Sequence, residues 1–291
     1  MKSRVATLQI VAAAVLFSTG GAGIKAAAFS ALQVSTLRSG IAALVLMLFV
    51  RGRLRLSAHV LGVSLVYGST LTLFVLGTKL TTAADAIFLQ STYPLYVLLL
   101  SPFVLGERIG RRDILYLIAV AAGLLLCVIG RPPATITAPN PALGNVFAIL
   151  SGVAWAMTLI GLRYLERDAT DRSPAMAAVI TGNAVASLVA LPFAWPLPMA
   201  SASEWATIVY LGVFQIGLAY IFLTKAVGRL PTLETSLLLL LEPVLNPLWA
   251  WLLRGEQPGT WTLAGGGVII AVTAIRTIYE AYATPIDRAA V

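Results

Sequence analysis

Ten apolar runs, each about twenty residues long, follow one another through this 291-residue chain with only short polar segments between them. They fall at 5–27, 31–50, 57–77, 82–104, 112–130, 142–164, 173–193, 205–225, 231–253 and 259–278. An α-helix rises about 1.5 Å per residue, so about 20 apolar residues cross the roughly 30 Å hydrocarbon core of a bilayer. Ten such helices and their turns occupy nearly the whole length and leave no room for a separate soluble domain. Composition agrees: 59% of the residues are apolar and 11% charged, whereas a soluble domain carries about a quarter charged residues. A membrane β-barrel would show alternating strands of about ten residues. This sequence has continuous Leu, Ala, Val and Ile runs with clustered small residues such as Gly265, Gly266 and Gly267. The expected fold class is an all-α membrane protein with ten transmembrane helices.

In a soluble chain, a formal charge of +8 would point to nucleic acid. Here the basic residues form short clusters between apolar runs, where they orient the chain in the membrane. The expected partner is the lipid bilayer, with no nucleic acid. If alternate loops lie on opposite sides, Lys25, Arg38, Lys79, Arg131 and Arg254 share one side and the other fifteen of the 20 Lys and Arg residues share the opposite one. The positive-inside rule then places both termini in the cytoplasm. Lys2 and Arg4 ahead of an apolar run and Ala26, Ala27 and Ala28 also resemble a cleavable secretory signal. A retained first helix is preferred, because cleavage would leave nine spans and orphan half of the repeat described next. Cys127 stands alone in an apolar run, so no disulfide can form within the chain. His59 is the single histidine and adjoins Arg51, Arg53 and Arg55, which makes it an interfacial residue rather than a metal ligand. The residues offer no metal site, cofactor site or catalytic constellation, so a non-enzymatic function is expected.

Comparing the chain with itself reveals a repeat. A shift of 149 residues places Tyr93-Pro94 on Glu242-Pro243, Gly106-Glu107 on Gly255-Glu256, Gly110 on Gly259 and Asp85 on Glu234. Span four thereby repeats as span nine. A shift of 138 places Phe17 on Trp155 and Lys25 on Arg163, which pairs span one with span six. The halves are 1–135, with spans one to five, and 136–291, with spans six to ten. An odd number of spans per half starts the second half on the opposite face, so the two five-helix repeats are inverted. Inverted repeats are a route to alternating access, although some channels also have them.

This pattern resembles the drug/metabolite transporter superfamily, specifically the ten-helix EamA-type exporters, and among those the bacterial exporters of aromatic and other amino acids. The resemblance covers essentially the whole chain. It is carried by the five-plus-five repeat, the stretch from Phe17 to Lys25, Arg38, Tyr93-Pro94 through Gly106-Glu107, Trp155, and Glu242-Pro243 through Gly255-Glu256. Family members often have tryptophan where this chain has Phe17. The resemblance implies an exporter of small organic solutes in the bacterial inner membrane, with a central cavity between the halves.

Pro94 and Pro243 lie near the middle of their spans, where proline removes an amide donor and frees the carbonyl four residues earlier, at Gln90 and Leu239. Their repeat-equivalent positions make them candidate hinges. Glu242 sits about eleven residues into its span, where an ionised carboxylate is costly unless it is paired or faces a hydrated cavity. It reads either as a solute ligand or as a polar tie between helices. Asn246 and Trp249 share its helical face, and Gln90, Tyr93 and Val97 form the matching face of span four. Tyr67, Trp155, Asn183, Gln215 and Tyr220 are further mid-span polar or aromatic groups. The candidate substrate site is Tyr67, Gln90, Tyr93, Trp155, Gln215, Glu242 and Asn246, an amphipathic lining suited to an amino acid or similar metabolite. Arg38 and Asp85 near the outer ends of their spans could form a gating ion pair or could simply snorkel. Glu107 and Glu256 follow glycine and are expected in interfacial turns.

Three alternatives remain open. The solute could be a different metabolite such as a phosphorylated sugar, or the bundle could be a channel or a membrane enzyme. A channel is disfavoured by the paired prolines and the lack of charged rings. An enzyme is disfavoured by the lack of a nucleophile–base set or metal-ligand group.

Overall fold

The computed structural model describes residues 2–50, 54–104, 111–129, 134–166, 174–227, 238–239 and 241–282. Among them all regular structure is helical. The first run divides into α1 (Lys2–Ser18) and α2 (Gly20–Ala26), followed by α3 (Ala31–Phe49) and α4 (Ala58–Leu80). The fourth run divides into α5 (Ala83–Gln90) and α6 (Tyr93–Val104), and α7 (Arg111–Ile129), α8 (Pro141–Glu166) and α9 (Pro174–Ala194) are continuous. Next come α10 (Ala202–Tyr210), a π-helical segment (Leu211–Leu218), α11 (Ala219–Val227), α12 (Leu241–Arg254) and α13 (Thr260–Tyr282). Six stretches, Val5–Ala26, Ala31–Phe49, Ala58–Leu80, Pro141–Leu162, Pro174–Ala194 and Ala202–Leu223, are long and apolar enough to cross a membrane. Ile114–Cys127 and Thr260–Arg276 are shorter apolar helices. Leu48, Leu115, Leu188, Phe193 and Leu253 stand exposed; such an apolar exterior suits lipid rather than water. The chain is a multi-pass membrane protein.

The helix starts follow local chemistry. Ser30 with Gln33 and Ser201 with Glu204 form reciprocal capping boxes at the heads of α3 and α10. Thr82 caps α5 by accepting from the Asp85 amide. The interruptions are equally local. Ser18 and Thr19 each return a hydroxyl hydrogen bond to a carbonyl three residues back, at 2.7 Å, a pattern that bends helices, and the bend separates α1 from α2. In span four the helix stops at Gln90 and resumes at Tyr93. The break sits just ahead of Pro94, whose missing amide cannot bond the Gln90 carbonyl. Ahead of Pro243, Leu238, Leu239, Leu241 and Glu242 are all helical, and Leu240 lies outside the described residues, so the described residues show no break there like that at Ser91–Thr92.

Helices pack closely where glycine removes a side chain. A Cβ on Gly265 of α13 would stand 2.6 Å from the Cys127 sulfur, with the Gly123 carbonyl of α7 also in contact. A Cβ on Gly182 of α9 would stand 2.8 Å from the Ser64 carbonyl of α4. In lipid, helix association relies on such packing because the tails are as apolar as leucine.

At one end of the bundle, α2, α4, α5, α12 and α13 meet around a buried polar cluster. The Lys25 ammonium lies 3.4 Å from the Glu256 carboxylate, with side-chain exposures of 4% and 5%. Lys25 also donates to the carbonyls of Thr81, at 2.5 Å, and Thr137. Glu256 accepts the Ala83 amide at the start of α5, a favourable place for an anion. Asp85 accepts from Thr262 of α13 at 2.7 Å and Thr82 at 2.8 Å, and Lys79 donates to the Ala27 carbonyl. Two expectations meet the structure here. Glu256 follows Gly255 in the turn after α12, as its position predicts, and is also buried there in an ion pair, because α5 and α2 supply an amide and an ammonium that hydrocarbon cannot. Asp85 is held by threonine hydroxyls in this cluster and forms no ion pair with Arg38. Glu107 lies outside the described residues.

The two kinds of contact predict different outcomes in detergent unfolding. Gly265→Leu should destabilise the protein by about 1–3 kcal/mol through overpacking. Gly267→Leu, which meets nothing within 4 Å, should leave it unchanged. Glu256→Ala should cost about 3 kcal/mol or more by stranding the Lys25 ammonium. Replacing both Lys25 and Glu256 by Met should recover most of that loss.

Candidate functional site

All three helix interruptions border one cavity of about 570 Å³. Phe17 precedes the bend between α1 and α2, Gln90, Ser91 and Tyr93 flank the break in span four, and Gln215 and Ile216 lie in the π-helical segment. π-Helical turns are rare and concentrate at functional sites because they rotate side chains off the regular helical register. The Gln215 amide donates to the Phe17 carbonyl at 3.5 Å, so one interruption braces another.

The wall is mostly aromatic. Tyr67 meets Trp155 with ring centres 6.4 Å apart and Tyr220 at 5.7 Å. Tyr93 meets Trp155 edge-on at 6.4 Å, and Phe17 meets Tyr220 at 5.2 Å. Tyr67 is fully buried on α4 and accepts from Asn183 of α9 at 3.5 Å. Gln90 donates to Ser151 of α8 at 3.0 Å. Glu242 is half-buried on α12 and lines the cavity together with Tyr93 and Tyr220.

The cavity has unlike ends. Towards the polar cluster it meets Phe74, Ile87 and Ile269, members of or neighbours to the main apolar core. Ile87 lies two residues after Asp85 on α5, so this apolar part of the wall adjoins the helix that carries the polar cluster. Towards the other end it runs along Leu159, Leu162, Ala175 and Leu223, near the ends of α8, α9 and α11.

Of the residues expected in the site, the structure brings Tyr67, Gln90, Tyr93, Trp155, Gln215, Glu242 and Pro243 onto this one wall. Asn246 is elsewhere: it is fully buried against Gly21 of α2, with neither amide atom hydrogen-bonded. Helical periodicity placed it on the face of Glu242, but that face is shared between the cavity and α2. Trp249 likewise turns to α1, donating to Ser18 at 2.9 Å. The Pro94 backbone is helical, just past the break.

Arg38 is the residue whose place the sequence did not disclose. The sequence leaves it as either a gating partner of Asp85 or a snorkelling residue, yet it is 1% exposed and lines the cavity. The available signal was depth: it lies seven residues into α3, roughly 10 Å along the helix at about 1.5 Å per residue. No group of three or more His, Cys, Asp or Glu residues able to hold a metal occurs among the described residues.

Comparisons with known proteins follow the same architecture. The sequence pattern of the EamA-like transporter family matches residues 4–129 and 142–277. A pseudopaline exporter, CntI of Pseudomonas aeruginosa, is 30% identical over 272 residues, covering 90% of this chain and 92% of the relative. An aromatic amino acid exporter, YddG of Ancylobacter novellus, is 28% identical over 150 residues, covering 49% of this chain and 48% of the relative. One solved crystal structure shares the fold with a TM-score of 0.62 at 23% identity, covering 94% of this chain and 96% of the other. An apolar helical bundle with a cavity at its helix breaks, matched along both halves by one family pattern, identifies the chain as a member of the EamA-like transporter family.

Proposed function

We propose that this transporter exports amino acids, aromatic ones included, and amphipathic metabolites of similar size across a plasma membrane by alternating access. The observation that carries this reading is the aromatic cavity holding Gln90, Gln215 and Glu242. Aromatic faces supply apolar contact, and a few polar groups orient the solute. Relatives named as exporters of pseudopaline and of aromatic amino acids support export of small organic solutes.

In this reading the chain has ten spans in two inverted five-helix repeats, 1–135 and 136–291. The family pattern matches twice, once in each half. Helix neighbours support the same symmetry. Under exchange of the halves, α3 against α9 and α7 against α13 map onto themselves. The pairing of α4 with α8 maps onto that of α1 with α11, and α4 with α9 maps onto α3 with the π-helical segment. With both termini in the cytoplasm, the polar cluster lies on the outer side and the cavity extends towards the cytoplasm. Export then requires the Lys25–Glu256 pair to part while the opposite ends close, with Pro94 and Pro243 as hinges.

Four outcomes are expected. Purified protein in liposomes should exchange labelled amino acids with saturable kinetics that accelerate with solute on the far side. Movement of phosphorylated sugars but of no amino acid would overturn the substrate reading, and unsaturable conductance would overturn the carrier. Trp155→Ala should reduce the preference for aromatic over aliphatic solutes about fivefold or more, with little change in stability. Glu242→Gln should fold and should flatten the pH dependence of transport, since a cavity carboxylate that exchanges protons is then lost; wild-type transport at every pH would return Glu242 to a packing role. Reporter fusions at the two ends should both read cytoplasmic, and two external signals would reverse the orientation.

A further inference from the structure

Arg38 and Glu242 are the one cation and the one carboxylate in the cavity wall among the described residues. They do not pair with each other. The ion pair among the described residues is Lys25–Glu256, so no described carboxylate of the protein lies at ion-pair distance from the Arg38 guanidinium. Its recorded hydrogen bond is a long one, from Nη2 to the Leu71 carbonyl at 3.4 Å, and its Nε–H has no acceptor. A guanidinium stays protonated at every physiological pH. A permanent charge at this depth, stripped of water and without a counter-ion, is a costly feature that persists in membrane proteins where something else completes it.

We infer that Arg38 anchors a carboxylate of the transported solute, so that the cavity selects carboxylate-bearing amphipathic molecules over amines and neutral analogues. This rests on the reading of the cavity as the transport site and names the chemical group that the site requires. The planar fork of arginine matches a carboxylate with two parallel hydrogen bonds, and its Nε–H edge is the one left without an acceptor. Arg38 and Glu242 line one cavity together with Tyr67, Tyr93 and Tyr220, and the Tyr67 and Tyr220 rings meet at 5.7 Å. The interval between the two charges is therefore walled by aromatic faces. A solute with a carboxylate at Arg38 and an ammonium near Glu242 spans that interval, with its apolar body against Trp155 and Tyr67. If Arg38 served only to tie α3 to the Leu71 carbonyl, the solute's acid group would not matter to binding.

The test compares acids with their amides on purified protein, by calorimetric titration with 3-phenylpropanoate against 3-phenylpropanamide and L-phenylalanine against L-phenylalaninamide. The wild type should bind each acid about tenfold or more tightly than its amide, the usual scale for losing a charged hydrogen-bond partner. Arg38→Gln should bring that ratio close to one, and Arg38→Lys should retain part of it. Equal binding of acid and amide by the wild type would overturn the anchor, as would an unchanged ratio in Arg38→Gln or no binding of either acid at millimolar concentration. If Arg38→Gln does not fold, the wild-type ratios and Arg38→Lys decide. Failure to exchange any amino acid, with Arg38-dependent preference for 3-phenylpropanoate intact, would remove the amino-acid reading and leave the anchor standing.

Discussion

Hydrocarbon offers no hydrogen-bond partner to a bare amide, carbonyl or charge, and the arrangement of this bundle follows from that. A helix in lipid can break only where something inside the protein, or a water-filled space, takes up the freed groups. The described interruptions, at Thr19, at Ser91–Thr92 and over Leu211–Leu218, all lie against the same cavity. On the outward faces the helices run unbroken and apolar. The same rule sorts the charges. Lys25, Lys79, Asp85 and Glu256 gather in one internal cluster where backbone carbonyls, an amide and threonine hydroxyls complete them, and Arg38 and Glu242 face the cavity.

The two groups of buried charge do different physical work. In the cluster each ion has protein partners, which makes that end of the bundle specific and hard to hydrate. In the cavity Arg38 has one long bond, to the Leu71 carbonyl, and no carboxylate of the described residues at ion-pair distance, so its charge is incompletely matched by the protein. A transporter needs this contrast. A carrier must hold one end shut firmly enough to prevent leak, yet leave its binding groups free to exchange partners, and modest affinity follows from that exchange.

Glycine and aromatic residues complete the division between frame and site. Gly123 against Gly265 and Gly182 against Ser64 and Tyr67 bring helix backbones close, and such contacts have little capacity to deform. Around the cavity, Phe17, Tyr67, Trp155 and Tyr220 meet edge to face or tilted, the arrangement that aromatic rings favour.

The helical membrane class was legible in the sequence because hydrophobic length alone decides it: the run at 31–50 became Ala31–Phe49, and that at 173–193 became Pro174–Ala194. The break ahead of Pro94 was legible too, since a missing amide acts on the carbonyl four residues away whatever surrounds it. Much of the cavity wall could be read for a similar reason, because a polar or aromatic group in mid-span has to face inward. What one helix could not disclose was which inward neighbour it would meet. Asn246 and Glu242 share a helical face, but the one packs on Gly21 and the other on the cavity. Glu256 could be placed in a turn from the sequence, but its burial could not, because Lys25 and the Ala83 amide that complete it are far away in the chain. The π-helical segment around Gln215 has no sequence signal of its own, and Arg38 could have snorkelled had its neighbours left it a path to water. Burial in lipid is a property of each span and was determined by sequence. Partnership inside the bundle depends on the packing of several spans at once, and only the tertiary structure decided it.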